Sequence, residues 1–305
     1  MKEMRQEFAD TLKEVGTADQ RLVVLVGDIS HFRLVEYAKA CPGRYYNVGI
    51  CEPTIVNMAA GLSMAGLIPV VHTIAPFIVE RSFEQIKLDF CYQKLSGNII
   101  TVGSAFDYST LGCSHHCYGD FGMLKTLPST QLFFPASPVE LNTLFKQTYQ
   151  TNHLNYFRFP KETHEIEFDA AQVIVGRGML VRPGRDLTVV VTGPQLKNAM
   201  LAATDLSAQG LDAEVLYYPT IKPFDAKLVL DSAKKTRRVL VLEEHSQFGG
   251  LGDEVLRCTR EISELKYDTI AIKAEFIRGY GSYAELCAIV GLTPQNICAK
   301  AKALR

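Results

Sequence analysis

Short, nearly unbroken apolar runs alternate with amphipathic stretches of helical length along this chain, and that alternation restricts the fold more than any other feature. Arg21-Leu22-Val23-Val24-Leu25-Val26-Gly27-Asp28 is a β-branched run closed by Gly-Asp, and it follows a helical pattern with Phe8, Leu12 and Val15 on one face. Further strand-like runs cover residues 45–50, 68–74, 98–103 and 131–134, with helical stretches at 81–92 and 138–150. Strands that are apolar throughout must be buried on both faces, which predicts a largely parallel sheet between helical layers. Such sheets present ligands at the carboxyl ends of their strands. Between residues 160 and 186 the pattern loosens into charged and Gly-containing sequence with room for one short strand. A second series then begins at Leu187-Thr188-Val189-Val190-Val191-Thr192-Gly193, with an Ala-rich helix to Gly210 and runs at 213–217 and 239–242. A length of 305 residues exceeds one typical domain. The predicted fold class is therefore α/β, with two doubly wound domains.

Composition removes several functional classes. A formal net charge of −1 provides no basic footprint for nucleic acid. The start Met1-Lys2-Glu3-Met4-Arg5-Gln6-Glu7 is charged, unlike a signal peptide, and no apolar run reaches membrane-spanning length, so the expected location is cytoplasmic, away from membranes. Of the eight cysteines, Cys41, Cys51, Cys91, Cys258, Cys287 and Cys298 lie in apolar runs and read as buried, reduced thiols with no disulfide framework.

For chemistry the most informative stretch is Tyr45-Tyr46-Asn47-Val48-Gly49-Ile50-Cys51-Glu52-Pro53, an apolar pattern ending in one carboxylate. A helix of small residues follows, Met58-Ala59-Ala60-Gly61-Leu62-Ser63-Met64-Ala65-Gly66, whose surface lets backbone or a flat ligand come close. Glu52 is thus expected in a crowded, water-poor place. Burial disfavours the charged form of a carboxyl group, so a glutamate there can share a proton with a ligand nitrogen near neutral pH. The alternative is a plain helix-start carboxylate, since Glu beside Pro in a first turn suits the helix dipole.

Gly49-Ile50-Cys51-Glu52 resembles the Gly-Ile-x-Glu of transketolases, and Phe77-Ile78-Val79-Glu80-Arg81-Ser82-Phe83-Glu84-Gln85-Ile86 resembles the aromatic-bearing segment that follows it there. Val191-Thr192-Gly193, Ile221-Lys222-Pro223-Phe224-Asp225, and Glu243-Glu244-His245 with Gly249-Gly250-Leu251-Gly252 resemble three landmarks of that family's C-terminal domain. The likeness covers nearly the whole chain and is to the C-terminal half of transketolase, particularly the β subunit of split bacterial forms. It implies a pyrimidine-binding domain of the thiamine-diphosphate fold over residues 1–165, a linker over 166–186 and a transketolase C-terminal-like domain over 187–305. It further implies a transferase that moves a two-carbon ketol unit from a ketose to an aldehyde acceptor, with thiamine diphosphate and Mg2+ as cofactors. The family's Gly-Asp-Gly…Asn metal motif has no counterpart: Gly119-Asp120-Phe121 carries Phe for the second Gly, and Asn142 lies within a helical pattern. The resemblance therefore implies an α subunit that supplies the diphosphate and metal contacts, in an α2β2 assembly, and no metal ligand in this chain.

By the same resemblance Glu52 hydrogen-bonds the cofactor's aminopyrimidine and is the catalytic residue, Phe77 packs on that ring, Arg81 braces the pocket if 77–81 is helical, and Ile50 gives a backbone contact. Without the resemblance Phe77 reads as core packing, and Arg81 as a surface partner of Glu80 or Glu84. Ser114-His115-His116-Cys117 resembles the Thr-His-Gln segment, which implies His115 on the substrate side of the cofactor. Cys113, His115, His116 and Cys117 also admit a zinc reading, against which their adjacency argues. His31 follows the first strand and either lines the pocket entrance or is a loop histidine, while His72 reads as a satisfied buried histidine ahead of one that approaches the pocket, and Glu243-Glu244-His245 as structural or at the subunit interface. Two departures bear on substrate. Leu111 stands where the family carries Asp before Gly112, and Gly103-Ser104-Ala105 where it carries a phosphate-contacting histidine. Arg5, Arg158 and Lys161 remain as sources of positive charge; Lys161 is nearest the family's basic position and offers a point charge in place of a bidentate fork. These departures point to an unusual ketose or a nucleotide-linked sugar. The competing functions are the β subunit of a 2-oxo acid dehydrogenase, a deoxyxylulose-phosphate-synthase-like enzyme, and a non-catalytic scaffold for the α subunit.

Overall fold

The computed structural model describes residues 2–305. Among them are twelve strands: β1 (Leu22–Val26), β2 (Tyr45–Asn47), β3 (Ile68–Ile74), β4 (Gly97–Val102), β5 (Thr130–Phe133), β6 (Leu154–Phe159), β7 (Met179–Arg182), β8 (Leu187–Val191), β9 (Ala213–Tyr217), β10 (Thr220–Lys222), β11 (Arg238–Ser246) and β12 (Lys266–Ile272). They form two sheets, ordered β10-β5-β6-β4-β3-β1-β2 and β12-β11-β8-β9-β7. Every neighbouring pair is parallel except the edge pairs β10 with β5 and β7 with β9. Helices cover both faces of each sheet, giving the two doubly wound α/β units that the alternation predicts.

The reason is visible strand by strand. All five residues of β1 are buried, as a strand between two helical layers must be. Phe8, Leu12 and Val15 from the helix Met4–Ala18 pack in the core on one face, with Phe145 of the helix Pro138–Thr148. Ile55, Val56 and Ala59 of the helix Glu52–Met64 pack on the other, with Val79. In β8 the two-residue period separates Leu187, Val189 and Val191, packed with the helices Leu196–Ala208 and Pro294–Ala303, from Val190, packed with Val229 and Val255.

Several elements differ from expectation. β2 ends at Asn47, because the Asn47 side chain accepts the backbone N–H groups of Asp28 and Gly49 at 3.1 Å each, and Gly49 turns the chain with φ of 86°. The stretch 81–92 is not one helix: the helix Ala75–Arg81 closes at Ser82, and a π-helix occupies Ile86–Tyr92. β6 lies in the middle of the first sheet although Asn155 and Arg158 interrupt its apolar run. Buried partners resolve that conflict, with Asn155 donating to the Thr148 carbonyl at 2.8 Å and Arg158 to Asp120 at 2.8 Å. β7 falls within residues 166–186 and joins the second sheet, whereas β10 leaves that sheet to pair with the first. A second tie between the units is the buried Glu140, which meets His164 at 2.8 Å and accepts from the Tyr217 hydroxyl at 3.0 Å. Cys51, which precedes the helix Glu52–Met64, is exposed and Cys258 partly so, contrary to the expectation of burial. Among the described residues no helix is long and apolar enough to cross a membrane.

Candidate active site

Glu52 is the first residue of the helix Glu52–Met64, with Pro53 in the first turn. Both readings of the sequence hold in part: it is a helix-start carboxylate, and it is buried, with 1% of its surface exposed. The turn after β2 carries it beneath the carboxyl end of β3, where the Thr73 hydroxyl donates to Oε1 at 3.3 Å. Arg81 Nη1 donates to Oε2 at 3.1 Å. Arg81 ends the helix Ala75–Arg81, one turn after Phe77, and its guanidinium carbon lies 4.1 Å from the Phe77 ring centroid. The surface partners Glu80 and Glu84 are therefore not the ones it takes.

From Phe77 a line of contacts runs on. His115 meets the Phe77 ring edge-on at 4.9 Å, and the Tyr108 ring lies 5.7 Å from His115. Burial, then the nearby Arg81 cation, push the His115 imidazole below its ordinary value, which favours the neutral ring. The Tyr108 hydroxyl accepts from Arg5 Nη2 at 2.7 Å. Arg5, Tyr108, Asp107, Leu111 and Lys161 line a cavity of about 300 Å³. Asp107 holds its wall by accepting the backbone N–H groups of Ser104 at 2.9 Å and Lys161 at 2.6 Å, while burial pushes its carboxyl up to about 6. The structure thus brings Glu52, Phe77, Arg81 and His115 together and sets Lys161 at the adjoining cavity.

Other candidates lie apart. Ile50 turns an exposed side chain to solvent, and His31 is exposed with Phe32 as its aromatic neighbour. Arg158 is fully buried between Phe121 and Phe134 and paired with Asp120, so it supplies no charge to a ligand. Asp120 also accepts from the Tyr156 hydroxyl at 2.7 Å, and Asn142 donates to Glu7 and Thr11; neither is arranged for a diphosphate-bound metal. His116 faces Phe106 edge-on, away from His115's aromatic partners, and among the described residues no three His, Cys, Asp or Glu side chains converge on a metal position. His72 is buried between the Ile100 carbonyl at 2.7 Å and the Ser30 hydroxyl at 3.0 Å. Glu243 accepts the first N–H groups of the helix Leu251–Thr259, from Leu251 at 2.6 Å and Gly252 at 2.8 Å, and His245 Nε2 accepts from Gly122 N–H at 3.2 Å.

Thr73, Tyr108 and Asp107 escaped the sequence reading, Asp107 lying in the same irregular loop as Tyr108. Thr73 had a faint signal, being the only hydroxyl in Ile68–Ile74 and falling at the strand's carboxyl end. Tyr108 had none, since its place depends on how an irregular loop folds. The slot itself fits a planar, nitrogen-bearing ring: a buried carboxylate accepts an N–H on one side and an aromatic face lies beside it. Arg81's guanidinium, a planar group of that chemistry, fits there in this structure.

Comparison with known proteins gives consistent matches. The family model for the transketolase pyrimidine-binding domain matches residues 1–165, and that for the transketolase C-terminal domain matches residues 176–297. An apulose-4-phosphate transketolase subunit of Phocaeicola vulgatus is 31% identical over 297 residues, covering 96% of this chain and 95% of the relative. The 6-deoxy-6-sulfo-D-fructose transketolase subunit SqwH of Clostridium sp. strain MSTE9 is 31% identical over 260 residues, 85% of this chain and 81% of the relative. A solved structure described as a split-gene transketolase in an inactive β4 tetramer superposes with a TM-score of 0.89 at 30% identity, over 99% of both chains.

Proposed function

We propose that this chain, which belongs to the transketolase family, is the β subunit of a two-subunit transketolase that depends on thiamine diphosphate and moves a two-carbon ketol unit from a ketose to an aldehyde acceptor. The observation that carries the reading is Glu52, a carboxylate buried to 1% exposure beside the half-buried face of Phe77 and within one residue contact of His115. When bound, thiamine diphosphate supplies the carbon nucleophile that holds the ketol unit between donor and acceptor. Glu52 Oε2, now facing Arg81, is the atom that would share a proton with the aminopyrimidine, and Phe77 is the surface on which that ring would pack. Neutral His115 can donate at one ring nitrogen and accept at the other, which suits it to orient a sugar hydroxyl or move its proton. Ile50 would contribute backbone only.

Magnesium and the cofactor's diphosphate are assigned to a partner α subunit, in an α2β2 assembly. Supporting this, Asp120 and Asn142 are engaged within the fold and the two relatives above are named as subunits. The same names specify a phosphate and a sulfo group on the sugar. Arg5 and Lys161 flank the cavity that adjoins His115 through Tyr108; of the two carboxylates that also line it, Glu3 is paired with Arg33 and Asp107 accepts the backbone N–H groups of Ser104 and Lys161, which leaves the two cations to suit an anionic sugar end. A sugar of that kind is therefore our substrate class.

The test is to purify the chain with a partner carrying the Gly-Asp-Gly…Asn motif, add thiamine diphosphate and Mg2+, and follow ketol transfer from sugar phosphates and sulfo sugars to small aldehydes. Transfer that requires both chains is expected. Release of labelled carbon dioxide from pyruvate without ketol transfer would instead favour the deoxyxylulose-phosphate-synthase-like or the 2-oxo acid dehydrogenase reading.

A further inference from the structure

We infer that Arg81 closes the Glu52–Phe77 slot from within the cofactor-free chain and has to leave it before an aminopyrimidine can enter. Resting on the thiamine-diphosphate reading above, this assigns Arg81 the part of a displaceable occupant. Its Nη1 sits on Glu52 Oε2 at 3.1 Å and its guanidinium carbon lies 4.1 Å from the Phe77 centroid. These are the two contacts a ring held by that carboxylate and packed on that phenyl face requires, so the two groups cannot be there together.

The energetics favour exchange over a permanent brace. The Arg81 side chain is 48% exposed, against 2% for Glu52, and its one side-chain hydrogen bond among the described residues is to Glu52. Rotation toward water would hydrate the guanidinium and leave its aliphatic stem on the surface, with no other bond to break. Arg81 is also the last residue of the helix Ala75–Arg81, where a cation suits the helix dipole whether it points inward or outward. Glu52, by contrast, cannot follow. With Arg81 gone it keeps only the Thr73 hydroxyl at 3.3 Å, and a buried carboxylate with one long hydrogen bond is costly. The slot is therefore stable when filled, by Arg81 or by a ligand, and unstable when empty.

A ligand that has to displace an internal occupant binds more weakly by the fraction of time the slot is open. The direct experiment measures thiamine diphosphate binding calorimetrically, with Mg2+, to the complex of this chain with its partner. It compares wild type with Arg81→Gln, Arg81→Lys and Glu52→Gln, each checked for a cooperative cofactor-free melting transition that shows the variant is folded. Arg81→Gln is expected to bind about tenfold tighter, the size of a half-exposed ion pair plus a cation–π contact. Arg81→Lys, which keeps the charge without the planar fork, is expected to fall between it and wild type. If Arg81→Gln binds equally or more weakly while Glu52→Gln binds much more weakly, Arg81 is a brace or a bystander and the inference is overturned. If Glu52→Gln leaves binding unchanged, the cofactor reading of the site fails as well.

Discussion

Replacing Glu52 by Gln separates the chemistry of the proposed site from its packing. The two side chains have the same shape, and at 1% exposure Glu52 has no room to reorient, so the surrounding core should be undisturbed. What changes is local. The amide keeps one acceptor for Thr73 or Arg81, and its NH2 group then faces a donor. An unsatisfied buried group of that kind costs about 1–3 kcal/mol. The lost ion pair adds about 1 kcal/mol or less, since Arg81 is half exposed. In a chain of this size that corresponds to a melting shift of roughly 2–8 °C. The effect on turnover is larger, because the amide cannot exchange a proton with an aminopyrimidine nitrogen. General acid–base catalysis contributes about 10²–10⁴-fold, or roughly 3–5 kcal/mol of barrier. The assay is kcat/KM for ketol transfer by the reconstituted two-chain enzyme at saturating thiamine diphosphate, alongside the melting temperature of this chain. A loss of at least about a hundredfold is expected, with a cooperative melting transition lowered by no more than roughly 8 °C. Activity within tenfold of wild type would refute the role given to Glu52.

Three further perturbations probe other parts of the structure. Phe77→Ala removes the aromatic face, worth about 0.5–1.5 kcal/mol, and should weaken thiamine diphosphate binding about 3- to 10-fold in calorimetry, with Phe77→Tyr near wild type; equal affinity of the alanine variant would count against stacking there. Arg158→Met strands the Asp120 carboxylate in a fully buried place and should destabilise the chain by about 3–5 kcal/mol in denaturant titration, whereas Lys227→Ala, which breaks an exposed pair with Asp231, should change it little. His245 is held neutral, its Nε2 accepting from Gly122 and burial pushing it down to about 4, so an unfolded chain with an ordinary histidine near 6.5 takes up the proton first. Its contribution is complete above pH 6.5 and is lost as pH falls toward 4, by up to about 1.4 kcal/mol per pH unit, so wild type should lose stability relative to His245→Gln across that window; parallel stability curves would contradict this.

The two sheets were legible because β1, β3, β8 and β9 are buried along nearly their whole length and their side chains say so without context. β6 was not, since Asn155 and Arg158 look wrong for a central strand until the Thr148 carbonyl, Asn98 and Asp120 are known to meet them, and those partners come from other elements. β10 was hidden for another reason: three residues carry too little pattern, and its pairing with the other unit's sheet is a matter of topology. In the site, the burial of Glu52 could be read from its place between an apolar run and a small-residue helix, whereas Phe77 and Arg81 were picked out only by the likeness to transketolases. The ion pair that Arg81 makes across 29 residues could not be read, because nothing in 77–81 distinguishes an inward partner from Glu80 or Glu84. Lys161 and Arg5 illustrate the limit in the other direction. Their residue type suggested an anion, but only the loop that carries Asp107 and Tyr108 sets them around one cavity.

The most direct measurement is a structure of this chain with its α partner and thiamine diphosphate bound. The account predicts a Glu52 oxygen within about 2.5–3.2 Å of the aminopyrimidine ring nitrogen, Phe77 against the ring's face, and Arg81 turned outward. A bound cofactor with Glu52 still paired to Arg81 and the aminopyrimidine elsewhere would contradict it.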